Sequence, residues 1–175
     1  MITRLEESPN GFLCPACRKN IVKSPSCGSE PRTFAIRSIG CIRTPFKSLD
    51  ECPHQGRLAR VEGDVVLDDD VIPALKDVEE CTHLILLSFY HLADRQKLQT
   101  RTPHGPEIHG TFATRSPHRP NPIAMHAVEL LGIDGNRLRV RGVDCLNGTL
   151  LIDIKPYSAR LDAIPEAIIG WERTT

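Results

Sequence analysis

Residues 128–144, VELLGIDGNRLRVRGVD, decide the class of the fold because they predict a β-hairpin. Residues 128–133 and 136–144 are short runs rich in the aliphatic side chains that strands favour. Asp134-Gly135 lies between the two runs. Asp-Gly favours the tight turns of hairpins, where positive φ is required. The stretch therefore predicts two antiparallel strands.

Short strand patterns recur outward from this hairpin, at residues 34–43, 59–67, 83–90, 110–114 and 150–154. Asn147-Gly148, a second turn dipeptide, comes just before the last of them. Residues 83–90, HLILLSFY, are almost continuously apolar, which is typical of a strand buried on both faces. Residues 68–78, DDDVIPALKDV, predict one short helix, and the polar residues 92–108 predict a long loop. Six or seven short strands with one helix indicate a mainly β fold, a barrel or a tightly curled sheet.

Composition and charge narrow the class of protein. The chain has 175 residues, of which 40% are hydrophobic, so it can build a folded core. It contains no apolar run near the ~20 residues of a membrane-spanning helix, and its start lacks the apolar stretch of a signal peptide. We therefore expect a cytoplasmic protein that does not enter membranes. Because 22 basic residues balance 22 acidic ones, a global electrostatic hold on nucleic acid is excluded, although a local basic patch is not.

The first 32 residues differ from the rest because they are short of aliphatic side chains and contain three cysteines, Cys14, Cys17 and Cys27. The spacing of Cys14 and Cys17 suits two neighbouring corners of a tetrahedral zinc site. The fourth ligand would come from Cys41, Cys52 or His54. The alternative is a flexible leader with spare thiols. We therefore divide the chain into a leader at 1–32 with a possible zinc knuckle, a β-barrel at 33–160 and a tail at 161–175.

The densest group of functional side chains lies in residues 110–123, GTFATRSPHRPNPI. Three prolines fix φ and forbid a regular strand or helix. Two arginines lie on this stiffened loop, so less entropy is lost when they bind an anion. The alternative is a surface turn with solvated arginines. The sequence lacks the glycine fingerprint of a Rossmann nucleotide site, the P-loop, the zinc-protease motif and the nucleophile elbow.

A second group spans residues 144–157, DCLNGTLLIDIKPY. The turn at Asn147-Gly148 would expose backbone groups to a ligand. Asp153 and Lys155 share one strand face, either as functional groups or as an ordinary surface ion pair. A third candidate is His91, at the end of the apolar strand, where a lone histidine is more often structural than catalytic.

Several of these stretches together resemble one family. The matching segments occur in this order: IGCIRTP at 39–45, PHQ at 53–55, HL at 83–84, GTFATRSPHRPNPI at 110–123 and DCLNGTLLIDIKPY at 144–157. In this combination they are similar to the TsaA-like family of TrmO-type tRNA N6-methyladenosine methyltransferases. The resemblance covers roughly residues 34–157.

The resemblance implies a dimeric, single-sheeted β-barrel with one or two short helices that binds S-adenosylmethionine (SAM) near the subunit interface. It implies N6-methylation of threonylcarbamoyl-adenosine at position 37 of tRNA. Family cofactor contacts carry over to Pro53, His54, Gln55, His91, Leu92, Arg115, Arg119, Leu130, Asn147, Gly148, Thr149 and Leu150. His54 replaces the family's usual arginine, and Leu150 its usual proline.

The chemistry of the implied reaction assigns further roles. An N6 acceptor must lose a proton, and Asp153 and Tyr157 are the candidate catalytic acceptors of it. Asp144 and Lys155 are candidate substrate-binding residues, and the alternative for Asp144 is a contact with the cofactor or the backbone. Arg137, Arg139 and Arg141 alternate on one strand face, so they form either a tRNA-binding track or a solvated polar face.

Two other functions stay open at this point. One is a SAM-dependent methyltransferase that acts on another acceptor. The other is a non-catalytic barrel that binds RNA or a ligand and carries a zinc knuckle.

Overall fold

The computed structural model describes residues 35–103 and 105–171, and the backbone of three short strands nearer the N-terminus. Those strands are β1 (Glu6–Ser8), β2 (Gly11–Leu13) and β3 (Asn20–Ile21), and they form a small antiparallel sheet in that order. Residues 1–35 form one compact unit and residues 36–175 a second. The three cysteines of the predicted zinc knuckle, Cys14, Cys17 and Cys27, lie outside the described residues.

The second unit is a closed six-stranded β-barrel, which confirms the predicted fold class. Its strands are β4 (Gly40–Arg43), β5 (Glu62–Leu67), β6 (His83–Phe89), β9 (Ile123–Asp134), β10 (Arg137–Arg141) and β11 (Thr149–Pro156). The order around the barrel is β10-β5-β4-β11-β6-β9, every neighbouring pair is antiparallel, and β9 closes the ring on β10. Two further strands, β7 (Gln99–Thr102) and β8 (Gly105–Gly110), make a separate hairpin.

Two short helices accompany the barrel, α1 (Gly56–Ala59) and α2 (Ala159–Asp162). Within the described part of the chain, no helix has the length and apolar character needed to cross a membrane.

Alternating side chains build the core because successive residues of a strand point to opposite faces. In β10, Leu138 and Val140 are buried while Arg137 and Arg139 are exposed. The same alternation runs through β5 and β9. The inward side chains form one cluster: Ile42, Val65, Leu67, Leu84, Leu86, Val128, Leu138, Val140, Val143, Cys145 and Leu151. Each fully buried aliphatic side chain in such a cluster contributes about 1.5–3 kcal/mol of transfer free energy.

The structure corrects the prediction for β6. Leu84, Leu86 and Ser88 are buried, but Ile85 and the other outward residues keep partial exposure. A closed barrel encloses only one face of each strand, so the apolar run has one buried face rather than two.

Two further local predictions were wrong, and a third was right about a short helix but not about its type. Residues 110–114 do not form a strand but contain a 3₁₀ turn, Thr111–Ala113. The predicted long loop contains the β7–β8 hairpin. The helix after Asp68 is a 3₁₀ helix, Asp69–Leu75, with Pro73 inside it. In an α-helix the proline ring would clash with the carbonyl four residues before it.

Candidate functional site

A cavity of about 450 Å³ opens at the end of the barrel where β6 ends and β9 and β11 begin. Its volume is within the range of small-molecule sites, about 300–1,000 Å³. Four loop segments contribute most of its wall, namely residues 52–55, 90–93, 115–119 and 144–146. Residues 110–123, which carry Arg115 and Arg119, are called the proline loop from here on. This loop and the segment that leads into the Asn147-Gly148 turn therefore meet at one cavity.

Three hydrogen bonds, one between backbone groups and two that involve a side chain, hold the proline loop against the loop that follows β6. The Tyr90 N–H donates to the Pro122 carbonyl at 2.9 Å. The Asp94 N–H donates to Nδ1 of His118 at 2.9 Å, and Nε of Arg95 donates to the Pro120 carbonyl at 3.0 Å. These bonds fix the mouth of the cavity from both sides.

Arg119 holds the proline loop from inside. Its Nε donates to the Ser116 carbonyl at 2.9 Å. Its Nη2 donates to the carbonyls of Thr111 at 3.1 Å and Thr114 at 2.6 Å. Arg119 is therefore not one of the solvated arginines of a surface turn, because its guanidinium ties three backbone carbonyls of its own loop together.

Asp144 presents its carboxylate at the floor of the cavity. Its Oδ2 accepts the N–H of Gly56, the first residue of α1, at 2.9 Å. Its Oδ1 lies 2.7 Å from Nδ1 of His126, which is nearly fully buried in β9. Asp144 is the only acidic residue among the described residues that line the cavity.

Burial and hydrogen bonds set the charge state of the titratable groups at the floor of the cavity. Burial by itself would raise the pKa of Asp144, but the hydrogen bond and charge of His126 and the Gly56 N–H outweigh it, so the pKa lies below its ordinary value. Burial, followed by the charge of Asp144, raises the pKa of Tyr90 far above its usual range. Burial is also the main reason that the pKa of Cys145 rises to about 12. At neutral pH this floor therefore combines an ionised carboxylate with a neutral phenol and a neutral thiol.

The buried hydroxyl of Ser88 extends the hydrogen-bonded chain that begins with Asp144 and His126. Oγ of Ser88 lies 2.9 Å from Nε2 of His126, so the chain from Ser88 through His126 to Asp144 has the spacing of a hydrolytic triad. Ser88, however, is fully buried and is not part of the cavity wall. A nucleophile must reach its substrate, so this group orients a carboxylate and does not perform acyl transfer.

The structure brings many of the predicted site residues to this cavity. Those that line it are Pro53, His54, Gln55, His91, Leu92, Arg115, Arg119, Asp144 and Thr149. The turn residues beside Thr149, namely Asn147, Gly148 and Leu150, are exposed and do not line the cavity. The Asn147 side chain accepts the Thr44 N–H at 3.2 Å, Gly148 adopts φ +81°, and Leu150 is 43% exposed.

Other predicted residues lie away from the cavity in the single chain. Asp153 and Lys155 form an ion pair at 2.7 Å on the outside of β11. The Tyr157 N–H donates to the carbonyl of His83, the first residue of β6, which places Tyr157 toward the opposite end of the barrel. Leu130 packs against the core near that end, with its N–H bonded to the Thr82 carbonyl.

The arginine ladder of β10 is largely paired with acids of its neighbours. Arg137 bonds Asp64 of β5. Arg141 bonds both Glu62 at 2.7 Å and Glu129 at 3.0 Å. The paired carboxylates neutralise much of the charge that a tRNA-binding track would need.

His126 is the site residue that the sequence reasoning missed. It occupies an inward position of β9, in register with Leu86 of β6 and two residues before the buried Val128. A polar side chain at an inward position of a strand needs a buried partner. The period-two pattern of β9 was therefore the available signal.

Comparisons with known proteins agree with this geometry. Residues 41–163 match the family model for the tRNA-methyltransferase O N-terminal domain. A probable S-adenosyl-L-methionine-binding protein of Archaeoglobus fulgidus is 47% identical over 136 residues, which are 78% of this chain and 37% of that protein. The tRNA (adenine(37)-N6)-methyltransferase of Escherichia coli is 33% identical over 153 residues, 81% of this chain and 65% of that enzyme.

A crystal structure of TrmO from Pseudomonas aeruginosa superposes with a TM-score of 0.68 at 34% identity, covering 82% of this chain and 65% of that one. The chain thus spans between about a third and two thirds of the length of these relatives. The family model covers well over half of the chain, and the structural match covers 82% of it. The chain therefore belongs to the tRNA-methyltransferase O (TrmO) family.

Proposed function

We propose that this chain is a SAM-dependent methyltransferase that modifies N6 of an adenosine in tRNA, with threonylcarbamoyl-adenosine at position 37 as the acceptor. The observation that carries the proposal is the convergence of the proline loop and the segment around Asp144 on one cavity of ligand size, in a barrel of the TrmO family. The E. coli relative is named for N6-methylation of adenine 37 in tRNA.

The side chains of the cavity fit the methyl donor. The donor has a carboxylate, two cationic centres and an adenine ring. Arg115, on the mouth of the cavity, suits the carboxylate, and Asp144, on the floor, suits a cation. Leu92, Pro122 and Met125 offer apolar surface for the ring.

The chain contributes to the reaction by positioning the reactants and by placing charged groups around them. When bound, SAM supplies an electrophilic methyl group on a sulfonium. The cross-loop bonds at Tyr90, Asp94 and Arg95 hold the two walls of the cavity in place before a ligand arrives. Such preorganisation lowers the entropy cost of aligning the reactants. The buried floor excludes water from one side of the cavity.

The proposal requires a second copy of the chain. Asp153, Tyr157 and Lys155 lie away from the cavity of their own chain, so their proposed roles toward the acceptor require the cavity of another subunit. The dimer implied by the family resemblance would supply this arrangement. Analytical ultracentrifugation at the protein concentrations of the SAM titration tests whether the chain forms this dimer. A monomer that still methylates tRNA would exclude these roles.

Calorimetric titration with SAM and mass spectrometry of nucleosides from treated tRNA test the activity. We expect saturable SAM binding, and methylated threonylcarbamoyl-adenosine in tRNA from a strain that lacks the endogenous enzyme. Binding without any change in the tRNA would favour another acceptor. That alternative is supported by the pairing of Arg137 and Arg141 with acids, which removes part of a tRNA track. Absence of SAM binding would refute the proposal.

A further inference from the structure

The charged groups of the cavity are divided between its mouth and its floor. Arg115 and Arg119 lie on the proline loop at the mouth, whereas Asp144 lies on the floor beside Tyr90 and His126. The side chain of Asp144 is 22% exposed, so it is partly shielded from water yet accessible from the cavity. An ion pair in such a place is screened less than one on an open surface.

The hydrogen bonds of Asp144 suit a fixed anion better than a proton acceptor. Both carboxylate oxygens already accept a bond, one from Gly56 and one from His126. Bonds to the ionised form lower the pKa, and a general base is most effective when its pKa is near the working pH. A carboxylate held in this way keeps its charge and attracts cations.

His126 fixes the orientation of that carboxylate. Its Nδ1 faces Asp144 and its Nε2 faces Ser88, so the ring is held from both sides. Tyr90 packs edge-on against the same ring, with centroids 6.1 Å apart. The ring makes no bond that points into the cavity, so His126 is a positioning residue.

We propose that Asp144, oriented by His126 and Ser88, binds a cationic centre of the methyl donor at the floor of the cavity. The inference deepens the proposed function and rests on it. Two groups of the donor share this chemistry, the sulfonium and the α-ammonium.

Three ligands distinguish the two cationic groups. SAM carries both, S-adenosylhomocysteine carries only the ammonium, and 5′-methylthioadenosine carries neither. Calorimetry compares their affinities for wild type and for Asp144→Asn, which keeps the shape and removes the charge. We expect Asp144→Asn to weaken SAM by about tenfold or more, and 5′-methylthioadenosine by less than about twofold. An equal loss for S-adenosylhomocysteine assigns the ammonium, and a loss confined to SAM assigns the sulfonium.

Glu51→Gln is the matched control because it removes one acid from the turn beside Cys52 without touching the cavity wall. We expect it to change no affinity by more than about twofold. His126→Ala tests the positioning role. It should reduce the preference for SAM over 5′-methylthioadenosine by about threefold or more, whereas a purely structural histidine would weaken both ligands equally.

The outcomes separate this inference from the proposed function. A wild type that binds none of the three ligands refutes both. A wild type that binds them while Asp144→Asn loses all three equally, or none, refutes the inference alone. If Asp144→Asn does not fold, His126→Ala decides. A preference for SAM over 5′-methylthioadenosine that matches wild type then refutes the inference, and a preference reduced by about threefold or more supports it.

Discussion

Replacing Arg119 by alanine tests whether this side chain holds the proline loop together. The guanidinium donates three hydrogen bonds to backbone carbonyls, at 2.6, 2.9 and 3.1 Å. These carbonyls belong to Thr111, Thr114 and Ser116, so the bonds span the first half of the loop. Alanine removes all three donors at once. Lysine would keep the charge but not the planar fork that reaches several acceptors.

The expected loss follows from the number of bonds and their exposure. A hydrogen bond to a charged group contributes about 1.5–3 kcal/mol. Arg119 is only partly buried, and water can replace part of each bond, so we count about 1 kcal/mol for each. The free energy of unfolding should therefore fall by about 3 kcal/mol. For a chain of this size, this lowers the melting temperature by about 6–12 °C.

Thermal unfolding and amide hydrogen exchange together measure this effect. Arg115→Ala is the matched control, because Arg115 lies on the same loop but makes no hydrogen bond or ion pair with the described residues. It should change stability by less than about 0.5 kcal/mol. In Arg119→Ala the Thr114 amide, which bonds the Thr111 carbonyl, should exchange faster. If both melting temperature and Thr114 exchange match the Arg115→Ala control, the reasoning is refuted.

Two more predictions concern the floor of the cavity. Gly56→Ala should cost about 1–3 kcal/mol and weaken SAM binding, because its Cβ would lie 2.3 Å from the Gly142 carbonyl oxygen. Gly132→Ala, whose Cβ would meet nothing within 4 Å, is the control in the same melting and titration experiments, and equal behaviour of the two would contradict the packing argument. Because the folded-state pKa of Asp144 is lowered, its stabilisation is complete above the unfolded-state pKa near 4 and is lost as the pH falls through the folded value. Urea unfolding should therefore show the stability gap between wild type and Asp144→Asn shrinking between about pH 5 and pH 2, and a constant gap would contradict this.

The barrel could be predicted from local signals because its strands alternate and its turns carry specific dipeptides. The predicted hairpin forms with its turn one residue later than expected, since Asp134 ends β9 and Gly135-Asn136 joins it to β10. Gly135 and Gly148 both adopt the positive φ of such turns. The closure of β9 on β10 and the pairing of β11 with both β4 and β6 depend on contacts that are distant in sequence. Periodicity carries no information about such pairs, so neither it nor the resemblance predicted the strand order, which only the structure shows.

The site was predicted in part. The pattern of the proline loop singled out Arg115, and the resemblance added His54. Both line the cavity of the single chain. The bonds of Arg119 could not be predicted, because they depend on the exact turns that three prolines impose. The role of His126 also depends on its strand partner, since Ser88 comes within hydrogen-bond distance only through the pairing of β6 with β9.

The floor of the cavity also explains why two distant glycine positions matter to one carboxylate. Gly56 approaches the backbone between Gly142 and Asp144 so closely that any side chain would displace it, and its N–H is then in place to bond Asp144. Backbone packing thus fixes one carboxylate oxygen, and a buried histidine fixes the other. Neither contact needs a ligand. The position and charge of this carboxylate are therefore fixed when the barrel folds. Binding of the methyl donor then costs less conformational entropy, because the site is already ordered.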